Sequence, residues 1–329
     1  LSPKGPIGSL RILDDHTVRT AITGHGFCQD TEPYTVYTIT RFDRPFTAYG
    51  TWDGSTVTAG ARTGTGGAYV RFDTTTDRTV QATTALSYVD AAGAAVNLSA
   101  EGGRSFDTVR EAARRAWEAR LDLVHVQGGD RTLRRTFYSS LYRSFLAPNV
   151  GSDADGRYRG WDLGIHRATG FTYYQNWSLW DTYRTQSQLL SLLAPREARD
   201  MAISVIRVSE EGGWLPKWGY GTVETNIMTG DPVTPFLTNA YQQGLLKGYE
   251  ERAYRALRQN ADGVPPADSP YVGRESNREY IADGFAPYVK GRPKTKMGDS
   301  DYHQGASVTL ELALSDAMLA RMARDLGHD

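Results

Sequence analysis

The hydrophobic pattern of this chain changes its period at residues 105–121, SFDTVREAARRAWEARL. Apolar side chains recur there at spacings of three and four residues, which is typical of one stripe along an α-helix. The stripe consists of Phe106, Val109, Ala113, Trp117 and Leu121. Ser105 or Asp107 can open this helix as a capping residue. The stretch therefore predicts a helix that links two regions of different architecture.

Residues 1–100, on the N-terminal side, alternate between apolar and polar side chains with a period of two. The runs YTVYTIT (residues 34–40) and GAYVRFD (residues 67–73) are rich in β-branched and aromatic residues, which are enriched in strands. Clusters of Gly, Asp and Thr bound such runs and favour turns. This region is predicted to form short antiparallel strands in a sandwich-type sheet.

The C-terminal side is predicted to be helical. A second apolar stripe, Leu133, Phe137, Leu141 and Phe145, stops at Pro148. Further helices are predicted over 178–193, 196–211, 232–248, 250–261 and 306–327. The loops between them, 148–176, 212–231 and 262–305, are longer than a plain helical bundle needs. Because long loops on a helical scaffold tend to carry a site, we expect an α/α toroid with these loops gathered at one end.

The composition excludes several classes of protein. The 329 residues carry a formal net charge of -1, whereas proteins that neutralise nucleic-acid phosphates need a basic excess. No apolar run reaches the length of about eighteen residues that spans a membrane. Cys28 is the single cysteine, so neither an internal disulfide nor a thiolate zinc site can form. We expect a globular protein with no nucleic-acid partner and no membrane span.

An aromatic and charged cluster fills residues 171–184, FTYYQNWSLWDTYR. A pyranose stacks its CH faces on indole rings, and its hydroxyls pair with carboxylate and guanidinium groups. Trp177, Trp180, Asp181 and Arg184 are therefore candidate sugar-binding residues. In the alternative interpretation, Asp181 caps its own helix or pairs with Arg184 three residues on, with both indoles in the core. The residues alone leave both interpretations open.

A second cluster occupies residues 212–232, GGWLPKWGYGTVETNIMTGDP. Trp218, Glu224 and Asp231 are its candidate binding residues. Asp231 is also well placed to cap the helix predicted to start near Pro232, and this structural interpretation is favoured over a chemical one. Glu224 has no comparably simple local role. Together the two clusters predict a carbohydrate-active protein.

An ordered series of motifs resembles glycoside hydrolase family 92. The series includes DGRYRG (155–160), SLWDTYR (178–184), GWLPKW (213–218), Glu224-Thr225 with Met228 and Gly230, and TLELA (309–313). The resemblance implies calcium-dependent exo-α-mannosidases that invert the anomeric centre. It also implies a multidomain β plus α architecture: part of an N-terminal β-sandwich in residues 1–103, a helical linker in 104–128, and about half of an (α/α)6 barrel in 129–329.

The resemblance assigns roles to the candidate residues. Asp181 is expected to hold mannose hydroxyls, with Arg184 orienting it, while Trp180 and Trp177 shape the pocket and Glu224 lies nearby. Calcium is expected to bind two adjacent hydroxyls of the sugar through oxygen ligands. Inversion requires a general acid, and a general base separated from it by enough room for a water. The acid, the base and the calcium ligands are expected beyond Asp329, so we interpret the chain as an internal fragment that needs the remainder of the same enzyme and holds no metal of its own.

One departure concerns the residues after Met228 and Gly230. The family usually has a histidine close to that glycine, and this chain has Asp231-Pro232, which puts the usual leaving-group contacts in doubt. An actinobacterial type within the family cleaves mannose-α-1-phospho-6-mannose, and that phosphodiester is an alternative substrate here. Another inverting (α/α)6 glycosidase, such as a trehalase-like enzyme, and a carbohydrate-binding protein are further alternatives. The resemblance implies a bacterial enzyme, secreted or at the cell surface, that acts on mannose-containing glycans such as N-glycans.

Overall fold

A computed structural model describes residues 7–24, 33–291 and 300–328, and Cys28 lies outside these ranges. The N-terminal part is β-rich, as predicted. Its strands are β1 (Ile7–Ile12), β2 (Thr17–Gly24), β3 (Tyr34–Phe42), β4 (Ala48–Asp53), β5 (Thr56–Ala59), β6 (Thr63–Gly64), β7 (Gly67–Arg71) and β8 (Ala82–Ser87).

The strands form two antiparallel sheets. A five-stranded sheet has the order β6-β1-β2-β3-β8, and a three-stranded sheet has the order β5-β4-β7. Phe42 at the end of β3, Phe46 before β4 and Phe72 after β7 form an aromatic cluster with ring centroids 5.1 to 5.5 Å apart. Since β3 and β7 belong to different sheets, this cluster ties the two sheets together.

A helix that the sequence reading missed follows the strands. The predicted alternation up to residue 100 is wrong for α1 (Ala91–Glu101), whose alanine-rich sequence favours a helix. Asp90 caps it, because its carboxylate accepts from the backbone N–H of Gly93 over 2.6 Å. Gly93 is buried, and a Cβ there would lie 2.1 Å from Oδ2 of Asp153. The helix packs on β8 and β3 through this face.

The described residues that follow are mainly helical, as predicted. Their helices are α2 (Phe106–Leu121), α3 (Arg131–Ser144), α4 (Leu179–Thr182), α5 (Gln186–Leu193), α6 (Pro195–Gly212), α7 (Val233–Gln242), α8 (Glu250–Asp262), α9 (Asn277–Asp283) and α10 (Gly305–Leu326). Ser105 caps α2 through the backbone N–H of Thr108. Gly213 and Gly327 end α6 and α10 in the left-handed conformation, with φ of 89° and 78°.

Three helical predictions need correction. The helix predicted over 178–193 is divided into α4 and α5. At the break, the carbonyl of Tyr183 accepts from the side chains of Ser187 and Gln188, each over 3.0 Å. The helix predicted over 232–248 ends at Gln242, two residues before Gly244, which has a φ of 71°. The predicted loop 262–305 contains α9 and a short 3₁₀ turn, Asp301–His303.

The predicted loops carry short hairpins, and the helices carry the core. The strands are β9 (Asn149–Val150) with β12 (Tyr174–Gln175), β10 (Arg157–Arg159) with β11 (Ile165–Arg167), and β13 (Gly219–Tyr220) with β14 (Val223–Glu224). The main hydrophobic core joins α5, α6, α7, α8 and α10, and α7 is buried over most of its length. No helix within the described ranges is long and apolar enough to cross a membrane.

Several apolar helix faces have no cover within the described residues. No side chain of α2 is buried, although Trp117 contacts the ring of Tyr142 on α3 at 4.4 Å between centroids. Phe106 on α2 is 64% exposed and Leu133 on α3 is 63% exposed. The apolar stripes predicted for α2 and α3 therefore exist, but much of their surface faces outward.

Candidate functional site

The two sequence clusters, 171–184 and 212–231, lie side by side. Ser178 and Trp218 form an antiparallel β-bridge. The backbone N–H of Gly219 donates to the carbonyl of Trp177 over 2.9 Å. The hairpin β13–β14 thus runs along the entry to α4, which carries Trp180 and Asp181.

The two tryptophans of the first cluster have different environments. Trp177 is 2% exposed and packs edge-on against Phe236 of α7, with ring centroids 6.1 Å apart. It belongs to the core, as the structural interpretation stated. Trp180, on α4, is 43% exposed and can offer its indole face to a ligand. Trp218 is partly buried beside Ser178.

Asp181 and Arg184 are both exposed, but they do not pair with each other. The hydroxyl of Ser178 donates to Oδ2 of Asp181. Nη2 of Arg184 lies 3.2 Å from Oε1 of Glu311 on α10. The expected arrangement, in which Arg184 orients Asp181, is therefore not formed, since the guanidinium pairs with a carboxylate 127 residues away.

Glu311 is the residue that the sequence reading missed. Its Oε2 accepts from the hydroxyl of Tyr183 over 2.7 Å, and the guanidinium of Arg184 lies 4.8 Å from the centre of the Tyr183 ring. Burial, and secondarily the hydrogen bond to Glu311, raise the pKa of Tyr183 to about 12. The TLELA motif contains Glu311, but spacing along the chain gave no sign of its partner.

Glu224 is enclosed and organises the second loop. Its carboxylate accepts from the backbone N–H groups of Lys217 over 2.6 Å, Trp218 over 3.1 Å and Asn226 over 2.7 Å. Burial raises the pKa of this carboxyl, and the three N–H groups oppose that shift. Glu224 therefore lies near the 171–184 cluster, as expected. Its carboxylate, however, binds backbone N–H groups of its own loop.

Asp231 is enclosed as well, in agreement with its structural interpretation and against a contact with substrate. Oδ1 accepts from the backbone N–H of Thr234 in the first turn of α7 over 3.3 Å. Oδ2 accepts from Nε of Arg274 over 2.9 Å, and both side chains are 1% exposed. The substrate-binding role predicted for Asp231 is corrected to capping and ion pairing, because no part of this carboxylate is open to a sugar.

The described residues near Asp181 do not include a cluster of acidic or imidazole side chains that could share an ion. Among the described ranges, the one group of three or more His, Cys, Asp or Glu side chains close enough to do so is Asp14, Asp15 and His16, on the turn between β1 and β2. Calcium takes six to eight oxygen ligands, and carboxylates are prominent among them. The acidic side chains described near Asp181 therefore do not by themselves fit the ion.

Comparison with known proteins places this geometry in a family. The family model described as the glycosyl hydrolase family 92 N-terminal domain matches residues 4–87, and the one described as the catalytic domain of that family matches residues 93–329. The first match ends at the last residue of β8, and the second begins at Gly93, within α1. They do not test the predicted boundaries at 103 and 128, which stay predictions.

Solved structures and a curated relative agree with the family models. The chain is similar to the inverting mannosidase BT2199 of Bacteroides thetaiotaomicron, with 26% identity, a TM-score of 0.86, and coverage of 98% of this chain and 43% of that one. It is also similar to the α-mannosidase BT3965 of that species, with 27% identity, a TM-score of 0.81, and coverage of 98% and 42%. An uncharacterized secreted glycosidase of Arthroderma benhamiae is 22% identical over 80% of this chain.

The chain spans 30% of the length of the Arthroderma relative and less than half of each of the two solved chains. Its β-rich part followed by helices agrees with the N-terminal and catalytic models of the family. Because the catalytic-domain model alone covers well over half of the residues, this chain belongs to glycosyl hydrolase family 92.

Proposed function

We propose that the enzyme containing this chain hydrolyses terminal α-linked mannose with inversion of the anomeric centre. The observation that carries the proposal is the open cluster of Trp180, Asp181, Arg184 and Glu311, in a chain whose solved relatives are an α-mannosidase and an inverting mannosidase. An exposed indole beside exposed charged groups matches the faces and hydroxyls of one hexose.

Each exposed residue has a distinct task in this proposal. The Asp181 carboxylate accepts hydrogen bonds from sugar hydroxyls, and the Trp180 ring stacks on the CH face. Nε and Nη1 of Arg184 donate to the sugar, because among the described residues only Nη2 has a partner. The general acid and base are supplied by the remainder of the enzyme, with their carboxyl groups about 6.5–9.5 Å apart so that a water fits between base and sugar.

The remainder of the enzyme is also proposed to cover the outward apolar faces. Phe106 on α2 and Leu133 on α3 are mostly exposed, and so is Leu310 on α10, at 73%. Burying such side chains stabilises a fold by about 1.5–3 kcal/mol each. Further helices of the same catalytic domain are the natural cover, and calcium would be held by ligands from those segments.

The phosphodiester alternative has no separate support in the described residues. The sequence departure that raised it, Asp231-Pro232, is explained by the ion pair with Arg274 and by the start of α7. We therefore propose the plain α-mannoside as substrate and treat the phosphodiester as an outcome of the test. By similarity to a relative described as secreted, we propose that the enzyme acts outside the cytoplasm. From the family resemblance we also propose that it is bacterial and acts on mannose-rich glycans such as N-glycans.

The test uses the full-length enzyme with α-1,2-mannobiose and a mannosyl phosphodiester. We expect release of β-mannose from the disaccharide, seen in the anomeric signals of a proton NMR time course, and loss of at least about a hundredfold in kcat/KM for Asp181→Ala. Preference for the phosphodiester, retained configuration, cleavage of trehalose instead, or sugar binding without turnover would each overturn the proposal. Chelation followed by calcium addition tests the metal separately, since turnover should stop and return.

A further inference from the structure

Arg184 is a long, exposed side chain that the structure nevertheless holds in one place. Its guanidinium lies over the Tyr183 ring at 4.8 Å and pairs with Glu311 at 3.2 Å. A free arginine on a surface loses rotamer entropy when it is fixed by a ligand. Two contacts on two sides remove most of that freedom before any ligand binds.

The Glu311 carboxylate divides its two oxygens between these partners. Oε2 accepts from the Tyr183 hydroxyl over 2.7 Å, and Oε1 is the oxygen closer to Nη2 of Arg184. The hydroxyl therefore fixes the carboxylate, and the carboxylate fixes the guanidinium. The contact from the Tyr183 hydroxyl is a short hydrogen bond to a carboxylate, which is stronger than a neutral one.

The backbone places Glu311 against the second loop as well. Gly230 has a φ of 77°, and a Cβ at this glycine would lie 3.2 Å from Cβ of Glu311. This close approach brings α10 onto the loop that ends at Asp231. Glu311 thus contacts both the loop 212–231 and the residues that follow α4. It therefore connects the two sequence clusters, 171–184 and 212–231.

The contact leaves part of the guanidinium available. Among the described residues only Nη2 of Arg184 is bonded, so Nε and Nη1 stay free to donate. Arg184 is 54% exposed and Glu311 is 37% exposed. A ligand oxygen can therefore approach Nε or Nη1 while Nη2 remains held by Glu311.

We infer that Glu311 is a positioning residue, which preorganises Arg184 for binding the substrate through the chain Tyr183 to Glu311 to Arg184. The inference rests on the proposed function, because it assumes that Arg184 contacts the mannoside. If the arginine is already ordered in the free enzyme, the substrate does not have to supply the entropy cost of ordering it. Substrate binding is therefore tighter. Loss of the Glu311 carboxylate should then weaken ground-state binding because Arg184 is less ordered, and not because the fold is less stable.

The test is a double-mutant cycle in the full-length enzyme, with Glu311→Gln, Arg184→Lys and the double variant. We expect Glu311→Gln to raise KM about tenfold with kcat changed less than about threefold, and the double variant to be no worse than Arg184→Lys alone by more than about twofold. Tyr183→Phe should raise KM by a smaller factor, about threefold, because the carboxylate is loosened but kept. Melting temperatures and calorimetric binding of methyl α-mannoside are measured alongside.

Asp262→Asn is the matched control, since it removes the carboxylate of another exposed ion pair, with Arg258 on α8. It should leave KM unchanged. Two outcomes would overturn the inference: additive effects of Glu311→Gln and Arg184→Lys on both KM and binding, or a lowered melting temperature with unchanged KM. In either case, α-mannoside turnover by the wild type would uphold the proposed function. Wild-type binding without turnover would overturn the proposed function alone, and a wild type that neither binds nor cleaves would overturn both.

Discussion

Arg274 and Asp231 form an ion pair in which each side chain is only 1% exposed. Nε of the arginine donates to Oδ2 over 2.9 Å, and Nη2 lies 2.8 Å from the same oxygen. The two residues connect the start of α7 to the segment before α9. A second carboxylate, Asp316 on α10, accepts from Nη1 of Arg274 over 2.7 Å and is 40% exposed. One buried arginine thereby joins three separate segments of the helical part.

We predict that Asp231→Asn destabilises the full-length enzyme by about 3 kcal/mol. The reason is that the substitution leaves the Arg274 guanidinium buried with a single, half-exposed carboxylate, and an uncompensated buried charge is costly. Chemical denaturation measures the free energy of unfolding. KM of the variant at a temperature well below its melting point should stay close to that of the wild type, since the Asp231 side chain is only 1% exposed.

Asp316→Asn is the control, because it removes the exposed partner of the same arginine. Its effect should be no more than about 1 kcal/mol. If both variants proved equally mild, or if Asp231→Asn raised KM without changing stability, then Asp231 would have a role in binding that its enclosure contradicts.

We predict that Glu224→Gln destabilises the loop 212–231 and the fold around it by about 2 kcal/mol. An amide in place of the carboxylate offers one acceptor oxygen and turns its NH2 group toward a backbone N–H, so that a buried donor loses its partner. Hydrogen exchange at the amides of Lys217, Trp218 and Asn226, which donate to Glu224 in the wild type, measures the loosening directly. Unchanged protection of all three amides would contradict the prediction.

The advantage of wild type over Glu224→Gln should also depend on pH. Burial raises the pKa of Glu224 above its ordinary value of 4.5, so the folded enzyme binds this proton more tightly than the unfolded chain does. The stability that this proton contributes is fully present below pH 4.5 and is lost as the pH rises through the raised value. The difference in free energy of unfolding between the two proteins should therefore shrink from low to neutral pH, and a difference that grows instead would show that the sign is wrong.

Local signals in the sequence predicted local structure well. The helix predicted over 196–211 is α6, which Pro195 and Gly213 bound, since proline fits the first turn of a helix and glycine fits its left-handed end. Alternation predicted the strands, but it was extended too far, because in the alanine-rich segment of α1 helical propensity and the cap at Asp90 decide the outcome. Residue spacing and the residues that begin or end an element therefore predict most helices and strands individually.

Pairings between distant segments could not be predicted in this way. Arg184 was expected to orient Asp181, three residues away, and instead it pairs with Glu311 at a separation of 127 residues. Glu224 had no local partner in the sequence because its partners are backbone N–H groups, which every residue type carries. A contact of either kind depends on how the loops fold back, and residue identity alone does not encode it.

We predict that Gly93→Ala destabilises the enzyme by about 1–3 kcal/mol, although alanine favours helices more than glycine by about 1 kcal/mol. The added methyl group would lie 2.1 Å from Oδ2 of Asp153 and 2.6 Å from Oγ of Ser87. These two side chains are hydrogen-bonded to each other over 2.8 Å, so moving either one breaks a buried contact between the β-rich part and the hairpin region. Thermal unfolding measures the loss.

Gly103→Ala is the matched control for this substitution. A Cβ at Gly103 would meet no atom within 4 Å, so its melting temperature should equal that of the wild type. Equal melting temperatures for both variants would mean that α1 can shift away from β8 at no cost, which its contacts with Asp153 and Ser87 argue against.

We predict that substitutions of the two tryptophans at the entry to α4 affect different properties: one lowers folding stability and the other weakens binding of the mannoside. Trp177→Ala should cost about 3–5 kcal/mol of folding free energy, because the ring is 2% exposed and its removal leaves a cavity against Phe236. Trp180→Ala should destabilise the fold clearly less than Trp177→Ala does, since the Trp180 ring is 43% exposed. It should raise KM for the mannoside about tenfold, because a stacking surface for the sugar is lost. Denaturation and steady-state kinetics on the same two preparations give both quantities, and a Trp180 variant with unchanged KM would remove this indole from the sugar-binding surface.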